Sequence, residues 1–173
     1  LEKAKALLAE ANFDLTKTYR LITKDEAVGE VDSARLFAGQ AQAAGIKIEV
    51  VTQDSNVFYD DTWLTAPLYT ANWGTNDSVI FFASKTMYSG TKWNETGFDD
   101  SEFDSAYGRA LAARDDDTYT AASRDLQRIQ YDRGGYIVWG MADGVDIAAS
   151  RVEGLPTLGG FGRVQLERTW LAR

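Results

Sequence analysis

The sequence contains no cysteine and no histidine. Without these side chains there is no disulfide, no thiolate nucleophile, no Ser-His or Cys-His catalytic pair and no zinc site of the usual kind. The sequence also lacks a run of the roughly 18 to 20 apolar residues that a membrane-spanning helix needs, and it shows no signal-peptide pattern. Most familiar hydrolase mechanisms are therefore excluded, and we expect no metal and no cofactor.

Positive charge is in the minority, with 18 Lys and Arg against 26 Asp and Glu and a formal net charge of -8. This sign opposes binding to a phosphate backbone, so we expect no nucleic-acid partner. Hydrophobic residues make up 45% of the chain and charged residues 25%, which is the balance of a folded, water-soluble protein. The chain opens at Leu1 inside a helix-like pattern, so we expect it to be a fragment of a longer protein.

The spacing of apolar residues predicts an α/β fold. After the N-terminal helix, a strand over 14–23, a helix over 31–44 and a strand over 46–51 are joined by short connections. This order predicts a βαβ unit with parallel strands. The elements predicted next are a helix over 55–64 capped by Ser55, a strand over 66–74, a helix over 80–87, two helices within 99–132, and one or two strands over 136–150.

Helix ends and buried faces follow from the same patterns. Asp32 or Ser33 is the expected cap of the helix over 31–44, and Gly45 is expected to end it. The two helices after residue 99 each carry an apolar stripe, which consists of Phe103, Ala106, Ala110 and Leu111 in the first helix and Tyr119, Ala122, Leu126 and Ile129 in the second.

Clusters of acidic residues allow other interpretations. Paired carboxylates could serve a glycoside hydrolase, and the acids of 99–104 could form a calcium loop. However, each cluster lies where a helix N-terminus favours negative charge, and the spacing of a calcium loop is missing. We therefore predict no catalytic and no metal-ligating residues, and keep a carboxylate-dependent, glycoside-hydrolase-like enzyme domain as the alternative. Asn76 and Asn94 each begin an N-x-[ST] sequon, a pattern that often arises by chance.

Aromatic residues are concentrated in the middle third of the chain. Core packing is the simpler interpretation of Trp63. Trp73 and Trp93 differ because each adjoins turn-forming and polar residues, and small-ligand pockets combine a flat apolar wall with a few polar groups. We interpret the stretch from Trp93 to Glu95 as a candidate edge of a ligand cleft.

The order of segments along the chain resembles the C-terminal lobe of family 5 extracellular solute-binding proteins. These are the dipeptide, oligopeptide and nickel-type receptors of ABC importers. The resemblance lies in the succession of segments and not in any single one. The segments are "KAKALLAEA", "ARLFAGQAQAAGIKIEVV", "PLYTANWG", "WNETGFDDSEFDSAYGRALAARD", "RDLQRIQYDRGGYIV" and "VEGLP".

The resemblance implies a type II periplasmic-binding-protein-like lobe, with a mixed sheet flanked by helices, in which residues 1–173 form a single lobe of a two-lobed receptor. It implies a peptide or similar polar small solute as ligand, an N-terminal lobe and ABC permease subunits as partners, and no enzymatic activity. The expected location is periplasmic or extracellular, with any signal or lipid anchor outside this fragment. A further interpretation is that the isolated fragment exposes an apolar wall and dimerises.

In the family, the strand and loop that correspond to "TANWGTNDS" face the ligand cleft. The resemblance gives Trp73 the aromatic position and Gly74 the position of close approach, while Asn76 stands where an acid often binds a peptide's ammonium group. If Asp77 reaches the cleft it would take that role, and if it caps the next helix the pocket is neutral here. The predicted ligand-binding residues are Tyr69, Trp73, Gly74, Thr75, Asn76, Asp77, Trp93 and Asn94.

Overall fold

A computed structural model of the chain describes residues 1–74, 78–143, 145, 147–156 and 166–172. The chain divides into two compact units, Leu1–Asn72 and Trp73–Arg173. The predictions for Thr75, Asn76 and Asp77 fall outside the described residues. The prediction that residues 1–173 form a single lobe stays a prediction.

The first unit is built on two parallel strands. Helix α1 (Glu2–Glu10) precedes strand β1 (Thr18–Lys24), helix α2 (Glu30–Ala43) and strand β2 (Lys47–Gln53). The strands β1 and β2 pair in parallel along their full length. The predicted strand-helix-strand unit with parallel strands is therefore confirmed.

The N-terminus of α2 differs from the prediction. Neither Asp32 nor Ser33 caps it, because the N-cap is Gly29, which has a φ of +77° and no side chain. Glu30 follows in the first turn, where a carboxylate is favoured by the partial positive charge of the helix end. The other end of α2 is as predicted, since Gly45 ends the helix with a φ of +95°.

Strand β1 ends in a buried ion pair that the sequence did not indicate. Lys24 is 1% exposed and Glu30 is 4% exposed, and Nζ of Lys24 lies 2.9 Å from Oε1 of Glu30. The hydroxyl of Thr70 donates to the same carboxylate oxygen at 2.7 Å. The ammonium also lies 4.5 Å from the centroid of the Phe58 ring, which is fully buried. Charge, hydrogen bonds and an aromatic face thus surround the Lys24 side chain.

The predicted helix over 55–64 is present as α3 (Ser55–Val57) followed by a π-helical turn (Phe58–Thr62). Its cap is Asp54 and not Ser55, because the Asp54 side chain accepts a hydrogen bond from the Asn56 backbone N–H at 2.9 Å.

The predicted strand over 66–74 is wrong over most of its length. The structure contains a single parallel bridge, in which Tyr69 pairs with Ile22 of β1. Pro67 before this bridge and Asn72 and Gly74 after it are poor strand residues, which explains why the pairing extends no further.

The second unit is built around three helices, α4 (Val79–Thr86), α5 (Ser101–Ala112) and α6 (Asp116–Arg133). Each begins with a side chain that accepts a hydrogen bond from a backbone N–H of its first turn. In α5 and α6 this side chain belongs to an acidic cluster, as the sequence predicted. The caps are Ser78, Asp100 and Asp115. The core between these helices consists of Ile80, Ala83, Met87, Phe103, Ala106, Ala110, Ala122, Leu126 and Ile129.

Two residues of the predicted apolar stripes lie outside this core. Leu111 is 60% exposed and Tyr119 is 37% exposed. Ala110, not Leu111, is the last core residue of α5, and the core contacts of α6 begin at Ala122, one turn after Tyr119. Neither residue therefore belongs to the buried core between the helices.

The prediction of one or two strands over 136–150 is wrong for the residues that the structure describes in this range. A strand is stable only when it pairs with a neighbouring strand. The described side chains of this range are mostly uncovered. Six large apolar side chains are 67% to 95% exposed, namely Ile137, Val138, Trp139, Met141, Val145 and Ile147. We call these six residues the exposed apolar segment.

The described end of the chain contains a short antiparallel pair, β3 (Val152–Glu153) and β4 (Trp170–Leu171). Among the described residues, no helix combines the length and the apolar character that crossing a membrane requires.

Candidate functional site

The structure brings together two of the predicted ligand-binding residues, Trp73 and Trp93. Their ring centroids are 6.1 Å apart and their planes are inclined at 42°. Trp73 also meets Phe82 of α4 edge to face at 5.9 Å, and Phe82 lies 6.2 Å from the ring of Tyr136. These four residues, Trp73, Phe82, Trp93 and Tyr136, form what we call the aromatic cluster of the second unit.

A carboxylate holds the aromatic cluster together. Oε2 of Glu95 accepts a hydrogen bond from Nε1 of Trp73 at 2.9 Å and another from the hydroxyl of Tyr136 at 2.7 Å. The two donors approach the same oxygen, so these bonds fix the orientation of the carboxylate. Glu95 therefore links residues that are 22 and 41 positions away in the sequence.

A close backbone approach places Tyr136 beside Glu95. A side chain at Gly135 would put its Cβ 2.4 Å from Cβ of Thr96, which is too short for any residue except glycine. The backbone carbonyl of Tyr136 also accepts a hydrogen bond from Nε2 of Gln130 at 3.1 Å. Gly134 thus ends α6 as its C-cap, and Gly135 lets the chain pass close to the loop that carries Glu95.

Asn94 has a structural role within its own loop. Its Nδ2 donates to the carbonyl of Phe98 at 2.6 Å, and its Oδ1 accepts from the Phe98 backbone N–H at 3.0 Å. Gly97 allows the tight return with a φ of +62°. The side chain therefore closes the loop from 94 to 98, and a contact between Asn94 and a ligand stays a prediction.

Tyr69 belongs to the first unit. Its ring lies 5.5 Å from that of Phe58, and its hydroxyl oxygen is 3.3 Å from the backbone N–H of Leu64, which donates to it. Trp63 is also in the first unit, partly buried, with its ring edge to face with Tyr59 at 5.8 Å. The packing role predicted for Trp63 agrees with this position.

Sequence reasoning missed two members of the aromatic cluster, Phe82 and Tyr136. Glu95 lay within the predicted cleft edge but was not chosen as a ligand contact. One available signal for Tyr136 was the glycine pair directly before it, which favours close passage of the backbone. The hydrogen bond that joins Tyr136 to Glu95 spans 41 positions, and no local pattern indicates such a contact.

Two of the carboxylates that the enzyme interpretation would use, Asp100 and Asp115, cap helices. Asp100 accepts hydrogen bonds from Arg133 and from the Phe103 backbone N–H, which together lower its pKa from 3.8 to about 2. The backbone N–H of Thr118 lowers the pKa of Asp115 in the same way. A glycosidase general acid needs a raised pKa, so these shifts have the wrong direction for that role.

The pKa of Glu102 is lowered as well, by hydrogen bonds from Arg133 and Arg128. Within the described part of the chain, no three Asp or Glu side chains come close enough to hold a metal ion.

Residues 1–95 match the family model described as bacterial extracellular solute-binding proteins, family 5 middle. No curated protein sequence matches the chain significantly. Several solved structures have a similar fold. One is titled clavulanic acid biosynthesis oligopeptide binding protein 2, with a TM-score of 0.80 and 17% identity over 100% of this chain and 34% of that chain.

Two other structures illustrate the range of similar proteins. The oligopeptide-binding protein AppA from Bacillus subtilis, in complex with a nonapeptide, has a TM-score of 0.69 and 17% identity over 99% of this chain and 37% of its own. NikZ from Campylobacter jejuni, in complex with Ni(L-His), has a TM-score of 0.63 and 16% identity. The match covers 76% of this chain and 30% of NikZ. The matched parts thus span only about a third of these proteins. The likeness confirms the predicted fold class, an α/β type II periplasmic-binding-protein fold.

Proposed function

The chain belongs to the family 5 bacterial extracellular solute-binding proteins, and on this premise we propose that it is a ligand-binding lobe of an ABC-importer receptor. The family match over residues 1–95 is the observation that carries the proposal. In this proposal residues 1–173 are one lobe of a two-lobed receptor, which closes over its solute and delivers it to the permease subunits in the membrane.

The proposed ligand-binding surface includes the eight residues predicted from the sequence. The geometry that supports it is the contact between Trp73 and Trp93, since flat aromatic walls with a few oriented polar groups are typical of small-ligand sites. Glu95 supplies such an oriented group within the aromatic cluster. The residues of the proposed surface are Tyr69, Trp73, Gly74, Thr75, Asn76, Asp77, Trp93 and Asn94.

The proposed ligand is a peptide or a similar polar small solute. Support comes from the variety of solutes in similar folds, since AppA from Bacillus subtilis was solved with a nonapeptide and NikZ from Campylobacter jejuni with Ni(L-His). Binding would stabilise a closed arrangement of two lobes about a hinge, with contacts to the solute favouring the closed state. The proposed location is the periplasm or the outer surface of the cell.

The enzyme alternative finds no comparable support. The acids Asp100 and Asp115 cap helices, and their pKa values move away from the range of a general acid. A role in binding requires no such group, because a receptor releases its solute chemically unchanged.

Native mass spectrometry of the intact receptor, purified without denaturation, tests this proposal. We expect the receptor to carry an additional mass that is lost on denaturation, because closed receptors hold their solute tightly. The released compound should rebind to the stripped receptor. Turnover of a glycoside by the receptor, with no solute retained and none rebound, would contradict the proposal.

A further inference from the structure

The position of Trp73 depends on its side-chain contacts. In residues 71–74 the chain forms neither helix nor strand, so regular backbone hydrogen bonds do not fix the direction of the indole. The ring meets Phe82 and Trp93, and Nε1 donates to Oε2 of Glu95. Ring contacts allow several relative orientations, whereas a hydrogen bond weakens steeply when its angle changes. The orientation of Trp73 therefore depends on where the carboxylate of Glu95 is held.

The carboxylate of Glu95 needs a support of its own. Glu95 is partly buried and lies in a turn of the loop that Asn94 closes. A long side chain such as glutamate has many rotamers, which a single hydrogen bond does not reduce to one. The hydroxyl of Tyr136 supplies a second bond to the same oxygen, Oε2, at 2.7 Å. A displacement of this hydroxyl would therefore displace the atom to which the Trp73 indole donates.

Tyr136 is in turn anchored to the helices of the second unit. It follows the end of α6, and its backbone carbonyl accepts a hydrogen bond from Nε2 of Gln130 within that helix at 3.1 Å. Its ring packs against the core between α4, α5 and α6. Gly135, directly before it, allows the backbone to pass against Thr96. These contacts place the tyrosine without any contribution from the Glu95 side chain.

Packing explains the ring of Tyr136 but not its hydroxyl. Phe82 packs against the same core with an unsubstituted ring, so the core accepts a phenylalanine at its edge. A tyrosine hydroxyl usually has a hydrogen-bond partner when the ring is buried, and this one donates to Glu95. The hydrogen bond is therefore a contribution that a phenylalanine at position 136 could not make.

We propose that Tyr136 is a positioning residue of the ligand-binding surface. Its hydroxyl holds the Glu95 carboxylate at the place where that carboxylate orients the indole of Trp73. The inference rests on the proposed function, and it adds to that function a residue that acts through Trp73 and not through contact with the solute. Helix α6 thereby contributes to binding, because the chain that leaves its C-terminal end carries Tyr136.

The first test observes the indole of Trp73 directly. In the intact receptor with isotope-labelled indole nitrogens, the nuclear magnetic resonance signal that Trp73→Phe removes is that of the Trp73 Nε1–H. Glu95→Ala deletes the acceptor and gives the direction in which the signal moves when the bond is lost. We expect Tyr136→Phe to shift the signal in the same direction, because the carboxylate is no longer held. An unchanged signal in Tyr136→Phe would overturn the inference.

The second test asks whether the effect on binding passes through Trp73. The probe is the compound that denaturation releases from the unaltered receptor, added back to the stripped receptor and measured by isothermal titration calorimetry. We expect Tyr136→Phe to weaken its affinity by about threefold to about tenfold, the usual loss for one hydrogen bond. In the Trp73→Phe background, the same substitution should change the affinity by less than about twofold. Equal losses in the two backgrounds would overturn the inference, because Tyr136 would not act through Trp73.

Tyr107→Phe is the matched control, because it removes a hydroxyl from another tyrosine that packs against the same core. It should leave the Trp73 signal and the affinity unchanged. Loss of stability alone, seen in urea denaturation of Tyr136→Phe with both other measurements unchanged, would mean that the hydroxyl has only a structural role. A receptor that releases no compound contradicts the proposed function instead, and the Trp73 signal then still decides whether Tyr136 orients the indole.

Discussion

Arg133, the last residue of α6, donates from Nε to Oδ2 of Asp100, the residue that caps α5, at 2.6 Å. The same guanidinium also pairs with Glu102 in the first turn of α5. The C-terminal end of α6 thus fixes the N-terminal cap of the preceding helix, α5, and each end receives the charge that its dipole favours. This pairing ties together the ends of the two helices. Asp100 lies five residues after Glu95 in the sequence.

The Asp100–Arg133 pair should make the stability of the chain depend on pH in the acid range. Folding lowers the pKa of Asp100 from 3.8 to about 2, so its contribution is complete above about pH 4 and is lost as the pH falls through about 2. Asp100→Asn keeps a capping oxygen and removes the titrating group. We expect the free energy of unfolding, measured in urea at successive pH values, to fall less steeply between about pH 4 and pH 2 in this variant.

Asp99→Asn is the control for this experiment because it leaves the Asp100–Arg133 pair intact. It should show the steep dependence of the unaltered chain. Identical pH dependence in Asp100→Asn and Asp99→Asn would show that the pair does not control acid stability.

The buried pair of Lys24 and Glu30 should be sensitive to the loss of one partner. Lys24→Met leaves a carboxylate enclosed without its ammonium, and removing one member of a buried pair typically costs about 3 to 5 kcal/mol. The double variant Lys24→Met/Glu30→Gln leaves no unmatched charge buried, since Glu26, the other carboxylate near Lys24, is 39% exposed. It also keeps an acceptor for the Thr70 hydroxyl. We expect it to recover most of the loss in urea denaturation. Equal destabilisation of the single and double variants would argue against charge as the cause.

The α5–α6 core should depend on Phe103 and not on Leu111. Phe103 is 1% exposed, so Phe103→Ala should lower the free energy of unfolding by about 3 to 5 kcal/mol. Leu111 is in the same helix but is 60% exposed. Leu111→Ala should therefore change the free energy of unfolding by less than about 0.5 kcal/mol. Urea denaturation of the two variants measures the difference. Similar losses would mean that Leu111 faces the core, as the sequence pattern suggested.

Ligand binding by the intact receptor should depend more on Trp73 than on Trp63. Trp73 contacts Trp93 and donates to Glu95, whereas Trp63 packs on Tyr59 in the first unit. Trp73→Ala should therefore weaken binding of the solute that native mass spectrometry identifies by more than Trp63→Ala does. Calorimetric titration of both variants measures this. Equal losses of affinity, or a larger loss in Trp63→Ala, would remove Trp73 from the site.

The exposed apolar segment should make the isolated 173-residue chain bind hydrophobic dyes and associate with itself. Trp139 is 67% exposed and Val138 is equally so, and contiguous apolar patches of this kind promote contacts between molecules. Val138→Lys/Trp139→Lys should reduce the fluorescence of an added anilinonaphthalene dye and the apparent mass by light scattering. Tyr131→Lys, at an 88% exposed site on α6, is the control. Equal effects of the two variants would show that the segment is not the associating surface.

Local signals were sufficient to predict most of the helices. Asp100 and Asp115 could be recognised as caps because a capping side chain and its N–H partner are three residues apart. Gly45 was recognisable for the same reason, since the end of a helix requires a backbone conformation that glycine adopts easily. Such interactions join residues that are only a few positions apart, so the local order of residues is enough to predict them.

Features that depend on distant partners could not be predicted. Thr70 reaches Glu30 across 40 positions, and the sequence pattern of neither residue indicates the other. The strand expected over 136–150 has suitable residues, but residue propensity alone does not form a strand without a neighbour to pair with. In the candidate site, turn chemistry pointed to Trp73 and Trp93, whereas the hydrogen bonds of Glu95 reach residues 22 and 41 positions away.

The loop closed by Asn94 also bears on covalent modification. Asn94 begins a sequon, and N-glycosylation attaches the sugar to the side-chain nitrogen of asparagine. That nitrogen, Nδ2, is the atom that donates to the carbonyl of Phe98 at 2.6 Å. A glycosylating enzyme would have to reach this nitrogen before the loop folds, or would have to open it. In the folded protein, therefore, the nitrogen to which a glycan would be attached is the same atom that closes the loop from 94 to 98.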